Sequence, residues 1–137
     1  MSQPAQISMP VQVFYYDTDA GGVVHNLAYL RFIEAARTLL AIKLGMDFQL
    51  IEKTGIHPVL IRTEADFRKP ARLGEFLTVE GHVSEVRGAR FWVHFKIFRQ
   101  TNRDLLVECR QALALVKLPE GHPVRIATIF PALAPAT

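Results

Sequence analysis

The sequence predicts an α+β domain in which an antiparallel sheet of about five strands wraps around one long central helix. The single helical pattern is apolar around most of its circumference, and the segments that follow it alternate apolar and polar residues and are joined by short turns. The chain has 137 residues, so a single domain at 1–137 is expected, with loose ends at 1–8 and 132–137. Apolar residues make up 50% of the chain and charged residues 21%, which excludes a disordered protein.

The N-terminal part of the chain changes from a strand pattern to a helical one. A strand is expected at residues 11–16, because VQVFYY is rich in β-branched and aromatic residues. The Asp- and Gly-rich run at residues 17–22 predicts a turn. From about residue 26 to 44, a narrow polar stripe recurs at helical spacing among mostly apolar positions. This pattern predicts a long buried helix, which Gly45 ends.

Four further strands are expected after the helix, each from alternating or extended apolar runs. They lie at residues 59–68, 76–86, 91–98 and 105–118. Hairpin turns are expected between the second and third of these strands and between the third and fourth. One such sheet covers only half of an apolar helix. The uncovered apolar surface therefore predicts a homo-oligomer.

Composition and charge exclude several classes of protein. The chain has 16 basic and 13 acidic residues, a net charge of +3, which is too weakly basic to indicate a nucleic-acid binder. Its single cysteine, Cys109, excludes an internal disulfide and a multi-cysteine zinc site. No apolar run approaches the roughly 20 residues of a membrane span, and residues 1–10 do not resemble a secretory signal, so a cytoplasmic protein is expected. Glycine-rich phosphate loops of the Walker or dinucleotide type are absent.

The segment from Tyr15 to Tyr29 carries the pattern that most suggests chemistry. Two carboxylates, Asp17 and Asp19, and two glycines precede the predicted helix start. Asp and Gly also cluster in ordinary turns, so a purely structural loop is one interpretation. A helix start, however, exposes unpaired amides that can stabilise an oxyanion, and a nearby carboxylate can attack a carbonyl carbon or activate water. The pattern therefore also fits hydrolysis of an ester or thioester.

A calcium-binding loop does not fit this segment. Asp17, Asp19 and Gly22 match the start of such a loop, but its twelfth position is Ala28, where a bidentate glutamate is required. No metal ion and no bound cofactor are expected.

Two blocks of the sequence resemble a known family. The run VFYYDTDAGGVVHNLAYLRFIEAART resembles the N-terminal motif of the hotdog-fold acyl-CoA thioesterases of the 4-hydroxybenzoyl-CoA thioesterase type, and is most similar to their Tol-Pal-associated branch. Residues 66–72, DFRKPAR, resemble the strand and turn that follow the helix in that family. The resemblance implies a hotdog fold, a homodimer pairing to a homotetramer, and hydrolysis of an acyl-CoA thioester to a free acid and CoA.

The resemblance also implies roles for individual residues. Asp19 would be the catalytic carboxylate, as nucleophile or as general base, and the backbone N–H of Asn26 would polarise the thioester carbonyl. The Tol-Pal-associated branch usually has Tyr-His where this chain has His25-Asn26, so a side chain able to transfer a proton is missing. Asp17 is expected to shape the active-site loop. The other expected members of the active-site loop are Gly22, Val23, His25 and Glu34.

Basic residues are candidates for binding CoA, because its pyrophosphate and 3′-phosphate favour Arg and Lys. Charged residues at sheet edges also discourage aggregation, so a solvated edge is the alternative interpretation. One cluster contains Arg68, Lys69 and Arg72, and the other contains Arg87 and Arg90.

Two other functions and one other nucleophile remain open at this point. A hotdog dehydratase or hydratase would require a histidine with a carboxylate partner, and a binding module would hold acyl-CoA or a protein without turnover. Cys109 lies in an apolar strand pattern and is expected to be a small buried residue. A Cys-His nucleophile pair is its alternative role.

Overall fold

The computed structural model describes residues 5–130. They form one antiparallel sheet with helices packed against it. The helices are α1 (Asn26–Lys43), α2 (Phe48–Thr54) and α3 (Ile126–Ile129). The strands are β1 (Gln6–Gln12), β2 (Ile56–Phe67), β3 (Phe76–Arg87), β4 (Arg90–Arg99), β5 (Leu105–Lys117) and β6 (His122–Pro123). Their order in the sheet is β1-β3-β4-β5-β2, and the short strand β6 pairs with β5.

Helix α1 forms the centre of the core and packs against β1 and β3. Ile33 and Ala36 are fully buried on its inner face, as are Leu77 and Ile97 on the facing sheet. The helix ends one residue before the predicted end, and Gly45 follows it with a φ of +92°. A side chain would be strained at that φ, so glycine suits the position.

The outer face of α1 is only partly polar. Leu27, Leu39 and Ile42 remain exposed in the single chain, so the expectation that the helix is buried around most of its circumference holds for one face only. The physical reason is that a single sheet covers a helix from one side. The exposed residues form the apolar surface from which the sequence predicts an oligomer.

The first strand differs from its prediction. It spans Gln6–Gln12 rather than residues 11–16, and Tyr15–Asp17 forms a 3-10 turn. Its burial alternates along QISMPVQ. The matching alternation of Ile7, Met9 and Val11 with their neighbours in the sequence was a signal that could have predicted this strand. The expectation of a loose end at 1–8 is therefore wrong for residues 6–8, because they pair with β3. The predicted loose end at 132–137 lies outside the described residues.

Three short elements, α2, β6 and α3, were not predicted from the sequence. Helix α2 begins where Asp47 accepts a hydrogen bond from the Leu50 amide and ends at Gly55, which has a φ of +73°. These are ordinary helix start and stop signals. Strand β6 and helix α3 are too short to produce a periodic pattern. None of the helices in residues 5–130 is long and apolar enough to cross a membrane.

Strand β2 lies at one edge of the sheet. It has 12 residues, pairs with β5 on one side only, and carries a register shift between Leu60 and Arg62. Val59, Leu60 and Ile61 are exposed. A long edge strand with exposed apolar residues tends to pair with another chain.

Candidate active site

The loop before α1 is organised by the buried carboxylate of Asp17, which is only 2% exposed. One oxygen accepts a hydrogen bond from Arg31 at 3.0 Å, and the other accepts from the Phe14 amide at 2.9 Å. The Asp17 carbonyl accepts from the His25 amide at 2.8 Å. Because both carboxylate oxygens are occupied, the side chain serves as a structural anchor of the loop.

Asp19 lies in an exposed, tightly turned part of the same loop. Its Oδ1 accepts a hydrogen bond from the Gly21 amide at 2.8 Å, and its amide donates to the Val23 carbonyl at 2.9 Å. Gly22 has a φ of +77°, which favours glycine there. Within residues 5–130, Oδ2 of Asp19 has no hydrogen-bond partner, so one oxygen of an oriented carboxylate is available.

The start of α1 presents one available amide. His25 is the residue before the helix, and its Nδ1 accepts a hydrogen bond from the Leu27 amide at 3.0 Å. The His25 carbonyl accepts from the Ala28 amide at 2.8 Å. Among the described residues, the amide of Asn26 has no acceptor. Since Nδ1 is an acceptor here, the proton of the neutral His25 ring is on Nε2.

Asp19 and Asn26 line the same open cavity of about 410 Å³. Loop, helix and strand residues contribute to its walls, including the end of β2 and the turn after it. The lining residues are Asp19, Val23, Val24, His25, Asn26, Tyr29, Phe67, Arg68, Lys69 and Pro70. The cavity therefore brings together a carboxylate, a helix start and two cations.

Tyr29 joins the helix to the turn after β2. It is 2% exposed, and its hydroxyl oxygen accepts a hydrogen bond from the Ala71 amide at 2.8 Å. Burial raises the pKa of the Tyr29 hydroxyl, an effect that the hydrogen bond from Ala71 opposes. The hydroxyl is consequently neutral. Tyr29 lies in the run that resembles the thioesterase motif, but the sequence analysis gave it no role in the site, although a polar group at an otherwise buried helical position was a usable signal.

Glu34 does not belong to this cavity. It is exposed on α1, about 12 Å along the helix axis from Asn26, as eight residues rise about 1.5 Å each. Its expected role in the active-site loop is therefore wrong. Arg31 occupies that role, because one helical turn earlier its guanidinium reaches Asp17.

The two predicted basic clusters lie at opposite ends of the sheet. Arg68 and Lys69 line the cavity, but each is paired with a carboxylate: Arg68 with Glu108 at 2.5 Å and Lys69 with Asp104 at 3.4 Å. Arg72 lies in the same turn and bridges to Val23 through its backbone.

The second cluster, Arg87 and Arg90, lies at the far tip of β3 and β4. Strand β4 spans 10 residues, so this cluster is about 30 Å from the cavity end of the same sheet. No carboxylate in the described part of the chain pairs with either arginine. The two clusters of one chain therefore do not meet at one site.

The chain matches the family model of the thioesterase-like superfamily over residues 13–135. The chain belongs to this superfamily. It is 38% identical over 118 residues to the acyl-CoA thioesterase YbgC of Haemophilus influenzae, covering 85% of each chain. It is 30% identical over 126 residues to the acyl-CoA thioester hydrolase YbgC of Escherichia coli, covering 88% of this chain and 92% of the relative.

Solved structures agree with the fold of this thioesterase-like chain. A 1,4-dihydroxy-2-naphthoyl-CoA thioesterase from Synechocystis superposes with a TM-score of 0.81 at 23% identity, covering 88% of this chain and 89% of that one. A variant of 4-hydroxybenzoyl-CoA thioesterase, in complex with 4-hydroxybenzoyl-CoA, gives a TM-score of 0.85 at 22% identity and covers 96% and 99%. The predicted hotdog fold is confirmed, and the protein is a thioester hydrolase.

Cys109 is 5% exposed on the inner face of β5, and burial raises the pKa of its thiol to about 11. At pH 8 about one thiol in a thousand is then ionised, and only the thiolate is nucleophilic. We expect a chromogenic disulfide reagent to leave folded protein unmodified at pH 8 and to modify one thiol per chain after unfolding. Rapid modification of the folded protein, or loss of activity in Cys109→Ala, would contradict the assignment of Cys109 as an unreactive buried residue. Either result would favour the Cys-His nucleophile pair.

Proposed function

We propose that the protein hydrolyses acyl-CoA thioesters, converting R–CO–S–CoA and water to R–COOH and CoA–SH. The observation that carries this proposal is the cavity shared by the Asp19 carboxylate and the available amide of Asn26. The names of the relatives from Haemophilus influenzae and Escherichia coli support the choice of acyl-CoA as substrate.

The substrate carbonyl binds with its oxygen toward the Asn26 amide. As the carbonyl carbon becomes tetrahedral, negative charge develops on that oxygen, and the amide and the positive end of the α1 dipole stabilise it. His25 already occupies the Leu27 amide, so Asn26 is the donor left for the substrate. In this proposal one amide binds the substrate, while the Leu27 and Ala28 amides stay bonded to His25.

Asp19 acts on the carbonyl carbon by one of two routes. As a nucleophile it forms an acyl-aspartyl anhydride and expels CoA thiolate, and water then cleaves the anhydride. As a general base it takes a proton from water while the oxygen of that water attacks. The tetrahedral intermediate then breaks its C–S bond, and the released CoA thiolate takes up the proton from Asp19. In both routes the carboxylate is regenerated and the acid and CoA are released.

The absence of the usual histidine at Asn26 is compatible with this chemistry. A thiol ionises near pH 8.5, far more readily than an alcohol. The thiolate therefore leaves without a general acid, and Asn26 needs to contribute only its backbone. His25 could not replace the missing side chain as a base, because its Nδ1 is held by the Leu27 amide.

The proposed active form is a homodimer in which the free edges of two β2 strands pair around a twofold axis. The axis passes near Ile61, the exposed middle of the strand. Antiparallel pairing then places the partner's hairpin tip, with its Arg87 and Arg90, about 15 Å from this chain's cavity, because three interstrand spacings separate them. CoA is long enough to span that gap.

In this proposed dimer, both predicted basic clusters would lie along one bound CoA molecule. Arg68, Lys69 and Arg72 would lie beside the pantetheine arm, and the second cluster of the other protomer would hold the phosphates. Pairing of two dimers into a tetramer, a cytoplasmic location and the Tol-Pal association of the resembling branch are further predictions.

Replacing Asp19 tests the catalytic carboxylate. We expect Asp19→Asn to lower kcat by about 100- to 10,000-fold while the melting temperature stays near that of the wild type. Asp17→Asn should instead lower the melting temperature, because it removes the buried partner of Arg31. Free thiol release from short, long and aromatic acyl-CoAs measures the activity.

Asp47→Asn is the matched control, because asparagine caps α2 as well as aspartate does. Undiminished turnover by Asp19→Asn would exclude the mechanism. Hydration of an enoyl-CoA without thiol release would favour the hydratase, and binding of intact acyl-CoA without any turnover would favour the binding module.

Replacing Asn26 separates its backbone from its side chain. Proline fits the first position of a helix but has no N–H, and His25 has the extended backbone, ψ 141°, that a following proline favours. We expect Asn26→Pro to lower kcat by about 100- to 1,000-fold, and Asn26→Ala to retain it. Equal activities, with circular dichroism showing both variants folded, would rule out this amide as the oxyanion donor.

Mixing two defective variants tests the composite site. We expect Arg87→Ala/Arg90→Ala to raise KM about tenfold with little change in kcat, as two charged contacts to phosphate are lost. After unfolding and joint refolding with Asp19→Asn, mixed dimers contain one site with both Asp19 and the partner's arginines intact. The low KM should return in that mixture. An unchanged KM, or a monomer by light scattering, would contradict the dimer.

A further inference from the structure

Arg99, at the end of β4, is the most heavily bonded cation of the described residues, and the mechanism above does not use it. Its side chain is 16% exposed. The guanidinium donates to three different acceptors: Glu75 at 2.8 Å, Asp104 at 3.1 Å and the Pro70 carbonyl at 2.7 Å. A planar guanidinium can satisfy such a divergent set, and an ammonium cannot match its geometry.

Two of these acceptors lead directly to the wall of the cavity. Pro70 is itself a lining residue, and Asp104 pairs with the lining residue Lys69 at 3.4 Å. The third, Glu75, also accepts from the Arg72 amide at 2.6 Å. One guanidinium therefore fixes both ends of residues 69–75.

Residues 69–75 in turn hold the loop before α1, which carries Asp19, through backbone hydrogen bonds. The Val24 amide donates to the Ala71 carbonyl at 2.9 Å, and the Leu73 amide donates to the Gly22 carbonyl at 3.4 Å. The Ala71 amide donates to Tyr29 on α1. The path from Arg99 thus reaches both Gly22–Val24, just after Asp19, and the first turns of the helix.

We infer that Arg99 is a positioning residue, which sets the distance between the Asp19 carboxylate and the Asn26 amide by clamping residues 69–75. The inference rests on the proposed function of that pair. It assigns no contact with substrate to Arg99. A carboxylate and an oxyanion donor must be placed within a fraction of an ångström, and a misplacement of about 1 Å can cost about 100-fold in rate.

The experiment compares Arg99→Ala and Arg99→Lys with Arg103→Ala. Arg103 is the matched control, because it pairs with Glu80 at 3.3 Å on the same end of the sheet but is 59% exposed and bonds to no cavity residue. We expect both Arg99 variants to lose about 10- to 100-fold in kcat with KM changed less than about threefold. Arg103→Ala should retain wild-type values. Guanidinium ion at concentrations that leave the protein folded should restore kcat in Arg99→Ala alone.

Amide hydrogen exchange gives a readout that does not depend on turnover. In Arg99→Ala and Arg99→Lys, exchange should accelerate at residues 19–26 and 71–75 but not at residues 91–97 of β4, and added guanidinium should reverse it in the alanine variant. If the wild type hydrolyses no acyl-CoA, the proposed function fails while the exchange result still decides the positioning role. If Arg99→Ala does not fold, the comparison of Arg99→Lys with the wild type decides it.

Three outcomes would overturn the inference. They are folded Arg99 variants with wild-type kcat, exchange that is unchanged at residues 19–26, and exchange that rises equally throughout the sheet. The last would show a general loss of stability in place of a local loss of position.

Discussion

The structure of the site depends on the buried carboxylate of Asp17, whose two oxygens both accept hydrogen bonds within the protein. Asp17 is withdrawn from water, and a buried charge is tolerated only when it is paired and hydrogen-bonded. Arg31 from α1 and the Phe14 amide meet that need. Because one partner is on the helix and the other precedes the loop, satisfying Asp17 fixes where the loop meets the helix. Asp19 follows two residues later, so its position depends on how Asp17 is held.

The second constraint is the division of hydrogen-bonding groups at the helix start. Every helix begins with amides that lack partners inside the helix. Here the His25 ring and carbonyl accept hydrogen bonds from the Leu27 and Ala28 amides, and among the described residues the Asn26 amide has no acceptor. The capping residue thus selects which amide stays available. The same selection shows why a change of side chain at Asn26 need not disturb a function of its backbone.

The sheet determines which charges can act together. Strand order places Arg68 and Lys69 beside the cavity and carries Arg87 and Arg90 to the opposite end. The exposed edge of β2 and the exposed leucines of α1 are the surfaces through which a second copy would bring the distant arginines close. A contact between charges separated along one chain can therefore depend on assembly.

The sequence by itself determined the long helix, the five main strands and the loop that precedes the helix, because periodicity, turn residues and glycine act locally. It placed β1 too late, since an exposed aromatic run at residues 14–16 mimicked a strand, and it assigned Glu34 to the loop. Only the tertiary structure decided that Arg31 and Tyr29 support the site and that Arg99 clamps its wall. The Arg31 and Tyr29 contacts join residues 14 and 42 positions apart, and Arg99 bonds to residues 5, 24 and 29 positions away. No local pattern encodes which distant group will satisfy a buried polar atom.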